Sequence, residues 1–104
     1  MGTEINTAAI RFKTTSPLAY LAARVMRSSS CALVLGKTIH LHGTDVAGLK
    51  ANAAWWQHEL VHVAQYQRYG LIPFLVRYTW YSLRFGYKNN PLEIEARAAE
   101  KKSL

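Results

Sequence analysis

The run His58-Glu59-Leu60-Val61-His62 restricts this chain more than any other feature. It lies within AAWWQHELVHVAQYQRY, a stretch free of proline and glycine that ends at Gly70, the kind of residue that stops a helix. On an α-helix, side chains at i and i+4 stand on one face, so both imidazoles can reach a single metal ion. Zinc accepts neutral imidazole nitrogens in a tetrahedral site that leaves one position open for water. His58 and His62 are therefore expected to bind Zn²⁺. Glu59 points slightly around the helix, where it can serve a water at the metal as general base without binding the ion itself. Two histidines at this spacing also occur as half-buried polar residues. The glycine stop and the carboxylate-bearing helix that follows favour the metal reading.

Such a site needs a third protein ligand. The extended form HExxHxxGxxH would place a third histidine at position 68, which is Arg68. The ligand must then come from farther along. Of only six acidic residues in the chain, four are Glu59, Glu93, Glu95 and Glu100. Glu93, Glu95 and Glu100 are the candidates. Glu93 and Glu95 fall on different faces of a helix and cannot both point at one ion. Glu100 sits beside lysines, where solvation is the simpler account.

The remaining chain supplies the frame. Residues 9–14 alternate apolar and polar as a short strand does. Ser16-Pro17 opens a helix, PLAYLAARVMR, with serine as N-cap and proline in the first turn. Ser28-Ser29-Ser30 breaks it. CALVLG and KTIHLHG read as a β-hairpin turning at Gly36-Lys37. Asp45 or Asn52 caps the motif helix. A further helix runs from Leu71 to near Gly86, and Asn89-Asn90-Pro91 caps the last, LEIEARAAEKK. The predicted fold is α+β: a small sheet (N-terminal strand plus hairpin) packed with the motif helix and two C-terminal helices, in one domain of 104 residues.

Charge narrows the partners. The net charge is +7, but the 13 basic residues are scattered, with Lys101-Lys102 the only adjacent pair. No nucleic-acid partner is expected from such a distribution. One cysteine, Cys31, excludes an internal disulfide and reads as a small buried residue. The N-terminal MGTEINTAAIRFK has no apolar secretory region, Asn6 stands where a myristoylation motif at Gly2 wants Ser or Thr, and no apolar run approaches a bilayer span. The expected location is the cytoplasm.

Residues 52–69 (NAAWWQHELVHVAQYQRY) and 91–98 (PLEIEARA) resemble the two signatures of the gluzincin metallopeptidases. The resemblance is closer to the minimal soluble members, the minigluzincins and HExxHxxQ domains, which are similar to the catalytic cores of CAAX-prenyl-protease-type membrane peptidases. It rests on His58, Glu59, His62, Gln65, Glu93 and Ala96. It implies a zincin-like fold, Zn²⁺, and a peptide or protein substrate that pairs with a strand of the hairpin. It also assigns Glu93, the first Glu of an ExxAD motif, as third ligand. Arg97 replaces the Asp of that motif. The Asp would support a ligand histidine, and losing such support costs about 10–100-fold in metal affinity or activity. Glu95 or Asp45 can substitute, or turnover is weak.

Other residues admit more than one role. His40 and His42 share a strand face, which more often marks the exposed side of an edge strand than a metal site. Trp55, Trp56, Tyr66 and Tyr69 read for the most part as core packing, although a tyrosine among them near the metal can donate to an oxyanion. Tyr78, Tyr81 and Tyr87 are candidates to donate to an oxyanion. Phe74 to Phe85 mixes aromatics with Arg77 and Arg84, so it packs over the motif helix or associates peripherally with a membrane. Two rivals to a peptidase are a zinc-binding domain without turnover and a basic interaction module.

Overall fold

A computed structural model describes residues 10–101. Gly2, Asn6, Ala9 and Lys102, on which some of the readings above depend, lie outside the described residues. The elements run β1 (Arg11–Lys13), α1 (Pro17–Met26), β2 (Cys31–Leu35), β3 (Thr38–His42), α2 (Val46–Ala51), α3 (Ala53–Tyr69), α4 (Leu71–Phe85) and α5 (Pro91–Lys101). This is the expected α+β arrangement with one short helix added.

The extra helix follows from having two caps where the sequence reading needs only one. The Asp45 carboxylate accepts from the Gly48 amide at 2.7 Å and starts α2. The Asn52 side chain accepts from the Trp55 amide at 3.1 Å and starts α3. Asn52 itself is extended (φ −93°, ψ 95°), so the chain turns between the two helices instead of running through.

The sheet has the order β1-β3-β2. β1 runs parallel to β3 and β2 antiparallel to it. Leu35 pairs with Thr38 across a two-residue loop whose first residue, Gly36, has φ 66°. Glycine takes that conformation without steric cost, which makes the tight hairpin possible.

β3 is thus the central strand and not an edge, which corrects the reading of its histidines. Ile39 and Leu41 are fully buried, and His40 is buried as well. Ser16 connects His40 to α1. Its hydroxyl oxygen accepts from the Ala19 amide at 3.3 Å, and its proton is free to be donated to His40 Nδ1 at 2.9 Å. His42 lies at the sheet margin, edge-on to the Tyr20 ring with centroids 5.0 Å apart.

The core joins Val34, Ile39 and Leu41 of the sheet to Leu49, Val63, Tyr66, Phe74 and Leu92 of four helices. Tyr66 spans the layers, its hydroxyl donating to the Val34 carbonyl at 3.1 Å. Trp55, Trp56 and Tyr69 pack against this cluster, as expected of them. α4 joins it through Phe74 but leaves Ile72, Val76, Trp80 and Leu83 exposed. α5 packs along α3, and this pairing builds the site. Among the described residues, no helix is long and apolar enough to cross a membrane.

Candidate metal centre

α3 presents His58 and His62 one turn apart, with ring centroids 5.0 Å from each other. Asn90 immediately precedes α5, and its side-chain oxygen accepts from the Leu92 amide at 2.9 Å. That start places Glu93 in the first turn, facing α3. Glu93 Oε1 lies 3.1 Å from His58 Nε2, and Glu93 Oε2 lies 3.2 Å from His62 Nε2. One ligand atom from each of the three residues lies within 4.8 Å of the others. The structure therefore brings together the three predicted ligands, close enough to hold a metal ion.

Hydrogen bonds orient both imidazoles so that Nε2 faces the cluster. His62 Nδ1 lies 2.9 Å from Gln65 Oε1. The Gln65 amide nitrogen is already committed, donating to the Leu92 carbonyl at 3.0 Å and to Glu95 Oε1 at 2.7 Å. Its oxygen must then face His62, and His62 Nδ1 must carry the proton. His58 Nδ1 donates in the same way to Glu100 Oε2 at 2.5 Å. Tyr78 donates its hydroxyl to Glu93 Oε2 at 2.6 Å. Each ligand residue thus has a second partner that fixes its orientation, the usual arrangement around bound metals.

The electrostatics favour a cation between these groups. Burial pulls the His58 imidazole down, but its contacts with Glu93 and Glu100 outweigh this and raise it to about 9. His62 is likewise raised against its burial, chiefly by Glu93. Burial pushes Glu93 up, yet the two histidines hold it well below the usual carboxylate range. Imidazoles that hold their protons beside an ionised carboxylate mark a spot that favours positive charge, and the same three donors lie close enough to hold a metal ion in place of those protons.

Glu59 is buried, and that burial raises its carboxyl to about 7 although both histidines pull the other way. It takes no part in the three-residue cluster.

Two acidic residues have roles other than those expected. Glu100, read as solvated, contacts a predicted ligand. Asp45 caps α2 and supports no histidine. Glu95 reaches His62 by hydrogen bonds through Gln65 and by charge directly, while also accepting from Arg68 Nη2 at 3.2 Å. Of the tyrosine candidates, Tyr78 is taken up by Glu93 and Tyr81 stacks towards Phe85. Tyr87 lines an open cavity with His58 and experiences the charges of Glu93 and Glu59. Burial and those charges push its hydroxyl up to about 12. Only the i, i+7 spacing from Glu93 could have drawn attention to Glu100, since it puts both on one face of α5.

Compared with known proteins, residues 6–70 match the model of the eCIS core domain family. This span reaches through α3 and includes His58, Glu59 and His62, while α4 and α5 lie beyond it. No curated protein and no solved structure matches the chain.

Proposed function

The chain belongs to the eCIS core domain family, and from that premise and its His58–His62–Glu93 cluster we propose that it is a zinc-dependent metallopeptidase of gluzincin type. The observation that carries the reading is the convergence of both Nε2 atoms and the Glu93 carboxylate, with Glu59 buried beside them and outside the ligand set. Bound there, zinc would supply Lewis acidity, polarising a substrate carbonyl and making water more acidic at neutral pH. His58, His62 and Glu93 would hold it.

The chain's own groups do the rest. Glu59, held at about 7, is poised to take a proton from the attacking water and return it to the leaving amine. Gln65 and Glu100 keep each imidazole Nδ1 protonated, so Nε2 stays available. Tyr87 keeps its phenolic proton and can donate it in a hydrogen bond to the oxygen that gains charge.

Arg97, in place of the ExxAD aspartate, favours a second reading: a zinc-binding domain without turnover. Glu100 answers part of that objection by contacting His58. Replacing Glu59 by Gln separates the two. Metal per chain is measured by mass spectrometry, and peptide cleavage by product analysis of a pooled peptide library. A peptidase retains its zinc and loses cleavage in the variant. Wild-type protein that binds zinc but cleaves nothing decides for the second reading. The exposed apolar residues of α4, beside Arg77 and Arg84, also support peripheral association with an anionic lipid surface.

A further inference from the structure

An open cavity of about 540 Å³ adjoins the cluster, lined by His58, Tyr87, Lys88, Asn89, Arg97 and Glu100. Its charges are unevenly satisfied. Glu100 is engaged with the His58 imidazole. Among the described residues, neither Lys88 nor Arg97 forms an ion pair. Arg97 Nη2 donates to the Lys88 carbonyl, which ties α5 to the turn before it, and both residues line the cavity. Arg97 is half-buried, so its position is set by packing as well as by that bond. Tyr87 lines the same cavity as Arg97 and the metal-cluster residue His58.

Lys88 and Arg97 line the same cavity without an ion-pair partner among the described residues, so an anion entering it is attracted by both. Arg97 retains unused guanidinium donors in a planar fork that matches a carboxylate, and Lys88 adds a mobile point charge. A carboxylate is the anion that a peptide carries. We propose that Lys88 and Arg97 form a subsite for a carboxylate of the peptide substrate, beside the bond to be cleaved. This rests on the peptidase reading of the neighbouring metal centre. The carboxylate is supplied by an acidic side chain or by the peptide's C-terminus.

The test uses zinc-loaded Glu59→Gln protein, which is expected to bind without turning over, titrated with three short peptides. These are acetyl-Gly-Glu-Gly-amide, acetyl-Gly-Gln-Gly with a free C-terminal acid, and the neutral acetyl-Gly-Gln-Gly-amide. Binding is read from the backbone amide NMR shifts of Lys88, Asn89 and Ala98. One acidic peptide should bind about tenfold tighter than the neutral one, and which of the two does so identifies the source of the carboxylate. Arg97→Gln should remove that preference, and Arg97→Lys, which keeps the charge without the fork, should retain part of it. In parallel, wild-type cleavage of pooled peptides with and without Asp and Glu should favour the acidic pool, with the Arg97→Gln defect mainly in KM.

Equal binding of acidic and neutral peptides, or no shift with any of them, overturns the subsite. So does a preference that survives in both Arg97→Gln and Lys88→Gln. If the acidic preference in binding holds while wild type cleaves no peptide, the peptidase reading fails and the carboxylate subsite stands.

Discussion

Replacing Glu100 by Ala tests whether this residue supports the metal centre. Its carboxylate accepts the Nδ1 proton of His58 at 2.5 Å, which keeps Nε2 turned towards Glu93. Removing such an outer partner typically costs about 10–100-fold in metal affinity. The Glu100 side chain is 38% exposed, against 13% for His58, so water can replace part of what is lost. Exposure of this degree also screens the charge, and the low end of the range applies. The expected loss is about tenfold, equivalent to about 1.4 kcal/mol. Glu100→Gln, which keeps an acceptor oxygen and loses only the charge, should lose about threefold. Affinity is measured by competition with a chromophoric zinc chelator at about pH 9.5. Metal-free His58 holds its proton up to about 9, so at lower pH proton competition would mask part of the difference. A thermal melt in chelator shows whether the fold is intact. An unchanged zinc affinity in a folded Glu100→Ala protein would refute the reasoning.

Two further perturbations probe other parts of the molecule. Burial, with Lys13 nearby, lowers His40 below its ordinary value of about 6.5, and Ser16 donates to the unprotonated Nδ1. Because the unfolded chain binds this proton more readily, the stability His40 contributes is complete above about pH 6.5 and is lost as pH falls through the lowered value. Melting temperatures of metal-free wild type should therefore fall faster with acidification than those of His40→Gln, and parallel curves would contradict this. Sedimentation with anionic vesicles tests α4: wild type should co-sediment at low salt, and Trp80→Ser with Leu83→Asp should reduce this severalfold. Wild type left entirely in the supernatant would count against lipid association.

The parts of the site that were legible in the sequence depend on local geometry. The spacing of His58 and His62 fixes a shared helix face whatever the tertiary fold. The C-terminal bound of α3 was equally local, since Gly70 stops it, whereas Asp45 and Asn52 both read as its cap until the structure gave each a helix of its own. Glu93 was less local. The bare sequence left Glu95 and Glu100 as its competitors, with solvation the simpler account of Glu100, and family resemblance singled it out. The structure then places it against both imidazoles because α5 lies along α3. The misreading of His40 has the same origin. Two histidines two apart on a strand look alike on an edge or in the centre, and only the pairing of β1 with β3 decides which. Residue patterns report which side of an element a group occupies, but not what covers that side.

Glu100 and Arg97 show how this limit bears on function. Judged by motif alone, arginine at the ExxAD aspartate position argues for a failed enzyme. The residue to be replaced, however, is defined by reach to a ligand histidine and not by its number. On α5, Glu100 lies seven residues beyond Glu93, about two turns on and on nearly the same face. From there it contacts His58 Nδ1 directly. With the supporting acid supplied from farther along the helix, position 97 no longer needs to be acidic. The side chain there donates to the Lys88 carbonyl and turns a cation towards the cavity instead. On the gluzincin reading, Glu100 supplies the histidine support and position 97 is left to line the cavity with a cation. Combining Arg97→Asp with Glu100→Ala should recover the zinc affinity that Glu100→Ala alone loses, while removing the preference for acidic peptides. If affinity stayed low in that double variant, Glu100 would not be standing in for the missing acid.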